Sequence, residues 1–225
     1  MTVYECPTCH RRALSVTDQC SCGATMDLVT TKGYTRRRDT AAQKHAAEQR
    51  LRPPIDIYTD GGVIGKNPSE RGGTWGFVVV KDGKAIYELS GILRPIDISL
   101  PVVTNNMTEL WAIMSALEWS NAWTPTIYTD SIISFYRLTK KKAKWAGIPN
   151  DIRERFVAAR SRHALPVKAV HLKGHPTKAM LASGRCPKGT PVSKWNVRAD
   201  DLCNAEARRF ARGEYWTPPT TGEQQ

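Results

Sequence analysis

Apolar and polar side chains alternate most regularly at Ile55-Asp56-Ile57-Tyr58-Thr59-Asp60, where Ile55, Ile57 and Thr59 interleave with three polar-edged neighbours. A period of two predicts a strand ending at Asp60, and the Gly61-Gly62 pair behind it lets backbone or ligand come close. Residues 126–129 predict another strand, and Ile127-Tyr128-Thr129-Asp130-Ser131 repeats the Tyr-Thr-Asp ending. Between the two lie strands over 74–80 and 84–90, joined by Asp82-Gly83, a strong hairpin signal. The stretch 63–73, with Gly65, Asn67-Pro68 and Gly72-Gly73, reads as a loop.

Further on, Leu110, Ile113, Met114 and Leu117 recur at helical spacing behind Thr104-Asn105-Asn106, a helix-start cluster. Glu109 falls on the line of Ile113, and an acid beside an apolar stripe needs a partner. That partner is either a cation or a metal shared with the acids at the two strand ends. Ser131 begins a helix, a second covers about 151–162, and 167–172 forms a fifth strand. A long loop carrying Gly, Pro and Lys then leads to Asn196, and a final helix spans about 197–211 with Asp200 and Asp201 in its first turn. Acids there complement the helix dipole; one of them also completes a set of four.

Charge narrows the partner. The 225-residue chain carries a formal charge of +12, which favours an anionic partner, most simply nucleic acid. Between Lys32 and Arg52 seven Lys or Arg stand against Asp39 and Glu48, so this stretch reads as a basic connector, with an Ala-rich helix over about 40–50. Lys140-Lys141-Lys142-Ala143-Lys144-Trp145 adds cations to an aromatic, a composition suited to phosphates and bases. No apolar run is long enough to span a membrane, and the first residues lack a secretion signal, so the expected setting is the cytoplasm.

Six cysteines in such a chain point to metal or free thiols rather than a disulfide framework. Cys6-Pro7-Thr8-Cys9 and Cys20-Ser21-Cys22-Gly23 bring four thiols within reach of one tetrahedral Zn²⁺, in a module resembling a zinc ribbon. A ribbon this small has little core, so its zinc would be structural. The second pair is tighter than usual, which leaves His10 as a replacement ligand.

From Ile55 to Phe210 the chain resembles the type 1 ribonuclease H family. The motifs are Tyr-Thr-Asp60-Gly, Thr104-Asn105-Asn106-x-x-Glu109-Leu, Thr129-Asp130-Ser131, Lys173-Gly174-His175 and Asn196-x-x-x-Asp200-x-Leu202. The resemblance implies an α/β fold with a five-stranded mixed sheet and helices on both faces. It divides the chain into a zinc-ribbon-like module (1–30), a basic linker (31–54), the ribonuclease H domain (55–212) and a tail (213–225). It implies two Mg²⁺, replaceable by Mn²⁺, on Asp60, Glu109, Asp130 and Asp200, with Asp60 bridging them. Asp200 would serve the water side, and Glu109 with Asp130 the leaving-group side. His175 corresponds to a histidine that assists proton transfer or product release. Gly61, Asn105 and Asn106 are implied contacts to RNA, Thr104 and Asn67 to a DNA phosphate, and Asn196 to substrate.

The implied activity is endonucleolytic cutting of the RNA strand of an RNA–DNA hybrid by a monomer, leaving 3′-OH and 5′-phosphate ends. Other readings are a junction resolvase or exonuclease of the same fold, or a non-catalytic zinc-containing binder. Gly62, standing where such exonucleases place a second acid, counts against that one; four acids in order count against the binder. Two departures stand out: the segment between His175 and Asp200 is long, and the cysteine module replaces the hybrid-binding domain of many cellular members.

Overall fold

The computed structural model describes residues 3–5, 12–13, 27–29, 52–140, 143–163 and 166–215, which fall in two compact units, Met1–Leu51 and Arg52–Gln225. In the first unit β1 (Val3–Glu5) pairs antiparallel with β2 (Arg12–Ala13) and with β3 (Asp27–Val29). Cys6 and Cys9 fall between β1 and β2 in the chain, Cys20 and Cys22 between β2 and β3. All four, with His10 and the helix expected over 40–50, lie outside the described residues.

The second unit is built on a five-stranded sheet of order β6-β5-β4-β7-β8, formed by β4 (Pro54–Val63), β5 (Gly73–Lys81), β6 (Lys84–Leu93), β7 (Thr124–Thr129) and β8 (Lys168–His171). The first three run antiparallel, while β7 and β8 add in parallel, which makes the sheet mixed as expected. Asp82 and Gly83 both have positive φ, 51° and 72°, the conformation a two-residue hairpin needs to match strand twist.

Alternation along β4 sorts the chain onto two faces. Ile55 and Ile57, with Phe77 and Val79 of β5, pack beneath α1 (Asn105–Trp119), α2 (Ile132–Thr139) and α3 (Asn150–Ser161) in the larger core. Tyr58, Val78 and Val80 face the other way, with Ala199 of α5 (Lys194–Ala211).

Two expectations need correction. Helix α5 starts at Lys194, because the Ser193 hydroxyl accepts the Trp195 N–H and caps it. Asp200 therefore sits in the second turn, not the first; the apolar periodicity begins only after the polar start of the helix, which hid the cap. The segment before it is not bare loop either: α4 (Lys178–Ser183) is capped by Thr177 and ends at Gly184 in the left-handed conformation.

Helix α1 meets β4 at Gly61, where a Cβ would collide with the backbone at Thr108 and Glu109. Gly61→Ala should therefore cost about 1–3 kcal/mol of stability or more, read as a lower urea midpoint. Gly62→Ala is the control, since its Cβ would meet only Thr74 Oγ1 at 3.6 Å, an ordinary contact, and the midpoint should barely move.

Candidate active site

Asp60 lies where one neighbour of β4 has stopped. The parallel pairing with β7 ends at Tyr58, while the antiparallel pairing with β5 continues to Val63, so β4 runs three residues past Asp60 rather than ending there. The side chain is thus held by continuous strand on one flank and opens on the other. Its Oδ1 accepts the Gly61 N–H at 2.8 Å.

Each remaining acid arrives from a different element. Asp130 follows the last residue of β7, and its corner is tied down twice: Leu172 N–H donates to the Thr129 carbonyl at 2.9 Å, and His171 Nε2 bonds the Asp130 carbonyl at 3.1 Å. Gly174 packs so closely on the Asp130 carboxylate that no Cβ fits between them. Glu109 comes from the second turn of α1, where Asn105 Nδ2 donates to Oε1 at 3.0 Å and Ser131 also bonds the carboxylate. Asp200 comes from α5, with Asn204 Nδ2 donating to Oδ1 at 3.1 Å.

Asp60, Asp130 and Asp200 line one cleft of about 250 Å³ together with His175, Pro176, Asn196 and Val197. Glu109 is not in that lining; it is coupled electrostatically to Asp60 and Asp130 from the α1 side. His175 is exposed at the cleft with φ of 47°, and Asn196, almost fully buried, reaches Asp130 Oδ2 with Nδ2 at 3.5 Å.

The expected substrate contacts divide. Asn67 Oδ1 accepts the Asn105 N–H at 3.3 Å and so closes the start of α1, a task the Thr104 side chain does not perform. Thr104 and Asn106 make no such bond, and Asn106 is exposed. Ser131 caps α2 by accepting the Ser134 N–H at 3.3 Å.

Three neighbours went unread in the sequence: Arg137, Cys203 and Asn204. Arg137, almost fully buried on α2, lowers the proton affinity of Glu109. Cys203 donates its thiol to the Asp60 carbonyl at 3.5 Å, and burial beside Asp60 and Asp200 pushes that thiol up. Of the three, only Asn204 carried a signal: it stands one helical turn beyond Asp200.

Crowding marks the electrostatics. Burial, then the charges of Asp130, Asp200 and Glu109, raise Asp60 well above the usual carboxylate range against the help of the Gly61 N–H. Burial, with a further push from Asp130, raises Glu109 to about 7 despite Ser131, Arg137 and Asn105. Among the described residues no Lys or Arg forms an ion pair with any of the four. Hard oxygen donors in a charge-deficient cluster suit Mg²⁺ or Mn²⁺ in chemistry. Their spacing is not that of a closed shell, since among the described residues no three His, Cys, Asp or Glu groups already stand at a common ligand point. Adjustment of these side chains accompanies any ion they hold.

The family model for RNase H matches residues 52–208. The chain belongs to the RNase H family. Solved RNase H folds resemble it at low identity: the PFV RNase H domain (18% identical, covering 68% of this chain and 94% of that one, TM-score 0.51); LC11-RNase H1 isolated from compost (20%, 72% and 99%, 0.49); and RNase H1 of the archaeon Halobacterium salinarum (22%, 69% and 98%, 0.47). No curated protein matches the chain significantly.

In this RNase H the folded state holds the Glu109 proton more tightly than the unfolded chain does, about 7 against 4.5. Between those values the native state binds more protons, so stability falls as pH rises through the window, and Asp60 acts in the same direction. In EDTA the urea midpoint should decline from pH 5 to pH 8. Glu109→Gln should recover on the order of 1–2 kcal/mol at pH 8, a figure discounted for partial exposure. Millimolar Mg²⁺ should flatten the wild-type decline, since an ion held by the folded carboxylates and not by the unfolded chain favours the native state.

Proposed function

We propose that this RNase H is a nuclease that cuts the RNA strand of an RNA–DNA hybrid endonucleolytically, leaving 3′-OH and 5′-phosphate ends. What carries the reading is the convergence of Asp60, Asp130 and Asp200 on one cleft with Glu109 behind them, in a chain of the RNase H family. LC11-RNase H1 has been solved in complex with an RNA/DNA hybrid.

Asp60, Glu109, Asp130 and Asp200 would hold two Mg²⁺ ions, which when bound activate water and stabilise charge on the phosphate and the departing oxygen. The protein's own work is placement. The bond from Gly61 N–H fixes the rotamer of Asp60, and the tied corner of β7 with Asn196 fixes Asp130. His175, exposed at the cleft, exchanges a proton with the leaving 3′-oxygen. The sugar 2′-OH, which separates RNA from DNA, is met by the backbone near Gly61 and by Asn105 and Asn106. A DNA phosphate falls to Thr104, whose hydroxyl is not used as a cap, and to Asn67. Cys6, Cys9, Cys20 and Cys22 hold one structural Zn²⁺, on the strength of their spacing. The protein acts as a monomer in the cytoplasm.

Labelled RNA–DNA hybrid, RNA duplex, DNA duplex and four-way junction incubated with Mg²⁺ or EDTA test the activity. Hybrid alone should be cut, and only with Mg²⁺; equal cutting of DNA or the junction would remove the reading. Asp60→Asn and Asp130→Asn should each abolish turnover while hybrid binding persists, and His175→Ala should slow turnover by about 100-fold without abolishing it. Metal analysis of the full-length protein should return one zinc per chain.

A further inference from the structure

The segment between His175 and α5 is folded, and it belongs to the rim of the cleft. Lys173 N–H donates to the Pro191 carbonyl at 2.9 Å and Val192 N–H to Gly184 O at 3.2 Å, so its two ends are clasped together. Within it Arg185 pairs with Pro191 in an isolated bridge, and a turn closes through Cys186 N–H to Thr190 O at 2.9 Å and Gly189 N–H to Cys186 O at 2.8 Å. Pro176 at its start and Asn196 just past its end both line the cleft. The result is a flap of fixed shape beside the carboxylates.

Its charge is one-sided. From residue 155 to residue 199 the chain contains no Asp or Glu, whereas Lys173, Lys178, Arg185, Lys188 and Lys194 all fall on or beside the flap. All five are exposed, and none has an acidic partner among the described residues. Arg185 Nη1 is held to Gly189 O at 3.2 Å, and Lys194 lies over the Trp195 ring at 4.5 Å, so two of the cations are also oriented. The acids beside it belong to the cleft: Asp130 packs against Gly174 and lines the cleft with Asp200. Cations grouped beside an acidic cleft offset the repulsion that the carboxylates present to a phosphate chain, and they draw in a polyanion, not a small neutral ligand.

We infer that the flap 176–193 is a backbone clamp: Lys178, Arg185 and Lys188 grip phosphates of the same nucleic acid whose scissile bond lies in the cleft. This rests on the proposed function and adds the part of the substrate lying outside the catalytic pocket. The clamp reads charge, not sequence, so its signature is salt dependence of binding.

The test is binding of a fluorescent RNA–DNA hybrid across KCl concentrations, with the full-length protein in an Asp60→Asn background to keep the hybrid intact. Each phosphate-contacting cation contributes about 0.9 to the slope of log K against log salt. Lys178→Gln, Arg185→Gln and Lys188→Gln combined should lower the slope by up to about 2.7. Between 50 and 200 mM salt the wild type would then lose up to about 40-fold more affinity than the variant. A control variant removing the same charge at exposed Lys84, Lys168 and Arg208 should keep the wild-type slope. Lys178→Arg with Lys188→Arg should also keep it, which separates charge from shape. An unchanged slope in the flap variant, or an equal drop in the control, overturns the clamp. Neither outcome touches the proposed function, which stands or falls on whether the otherwise wild-type protein cuts the hybrid at all.

Discussion

Helix α1 lies against strand β4 with no side chain between them at Gly61, and the geometry of the candidate site depends on that contact. It sets Glu109 behind the strand that carries Asp60, close enough for the two charges to feel each other. The same strand loses its parallel neighbour beyond Tyr58, so pairing on that flank ends where the cleft begins, while the β5 flank stays paired to Val63. Absence of a Cβ and absence of a strand partner are both negative features. Together they let Asp60, Asp130 and Asp200 share one cleft with Glu109 coupled to them from behind.

Those carboxylates repel one another, and the fold tolerates this because the frame is rigid. Large apolar groups such as Ile57, Phe77 and Ile113 are fully buried beneath the sheet, and the Asp130 corner is secured by two bonds from β8 and the residue after it. Stability stored in the core thus offsets strain at the site, the usual relation between a scaffold and its reactive centre. Arg137 offers Glu109 a counter-charge from α2, and its buried Nη1 finds no partner of its own among the described residues.

Much of this was legible in the chain. Alternation in 55–60 and the Asp82-Gly83 turn gave the antiparallel half of the sheet, and apolar spacing from Leu110 to Leu117 gave α1. Asp60 and Asp130 stood out because Tyr-Thr-Asp recurs at residues 58–60 and 128–130, although β4 runs on past Asp60. What escaped was set by local capping and by tertiary packing. Ser193 moved the start of α5, since an N-cap bond outweighs weak apolar periodicity at a helix entrance. The fold within 176–193 rests on backbone bonds such as Cys186 to Thr190, which carry no side-chain signal. Arg137 and Cys203 become neighbours of the acids only after α2 and α5 dock, so no spacing along the chain announces them.

Helix α5 also acts as a ruler. Asn196 and Asp200 stand one turn apart on the face toward the cleft, and Cys203 follows on that face beneath Asp60. One residue gained or lost between them would turn the later positions by about 100° around the axis. Asp200 would then leave the cleft although every side chain survived. Between Gly184 and Thr190, by contrast, an added residue would disturb the turn around buried Cys186 but leave the register of α5 unchanged. The position of the acid is thus set by the count of residues after Ser193 and not by the count before it.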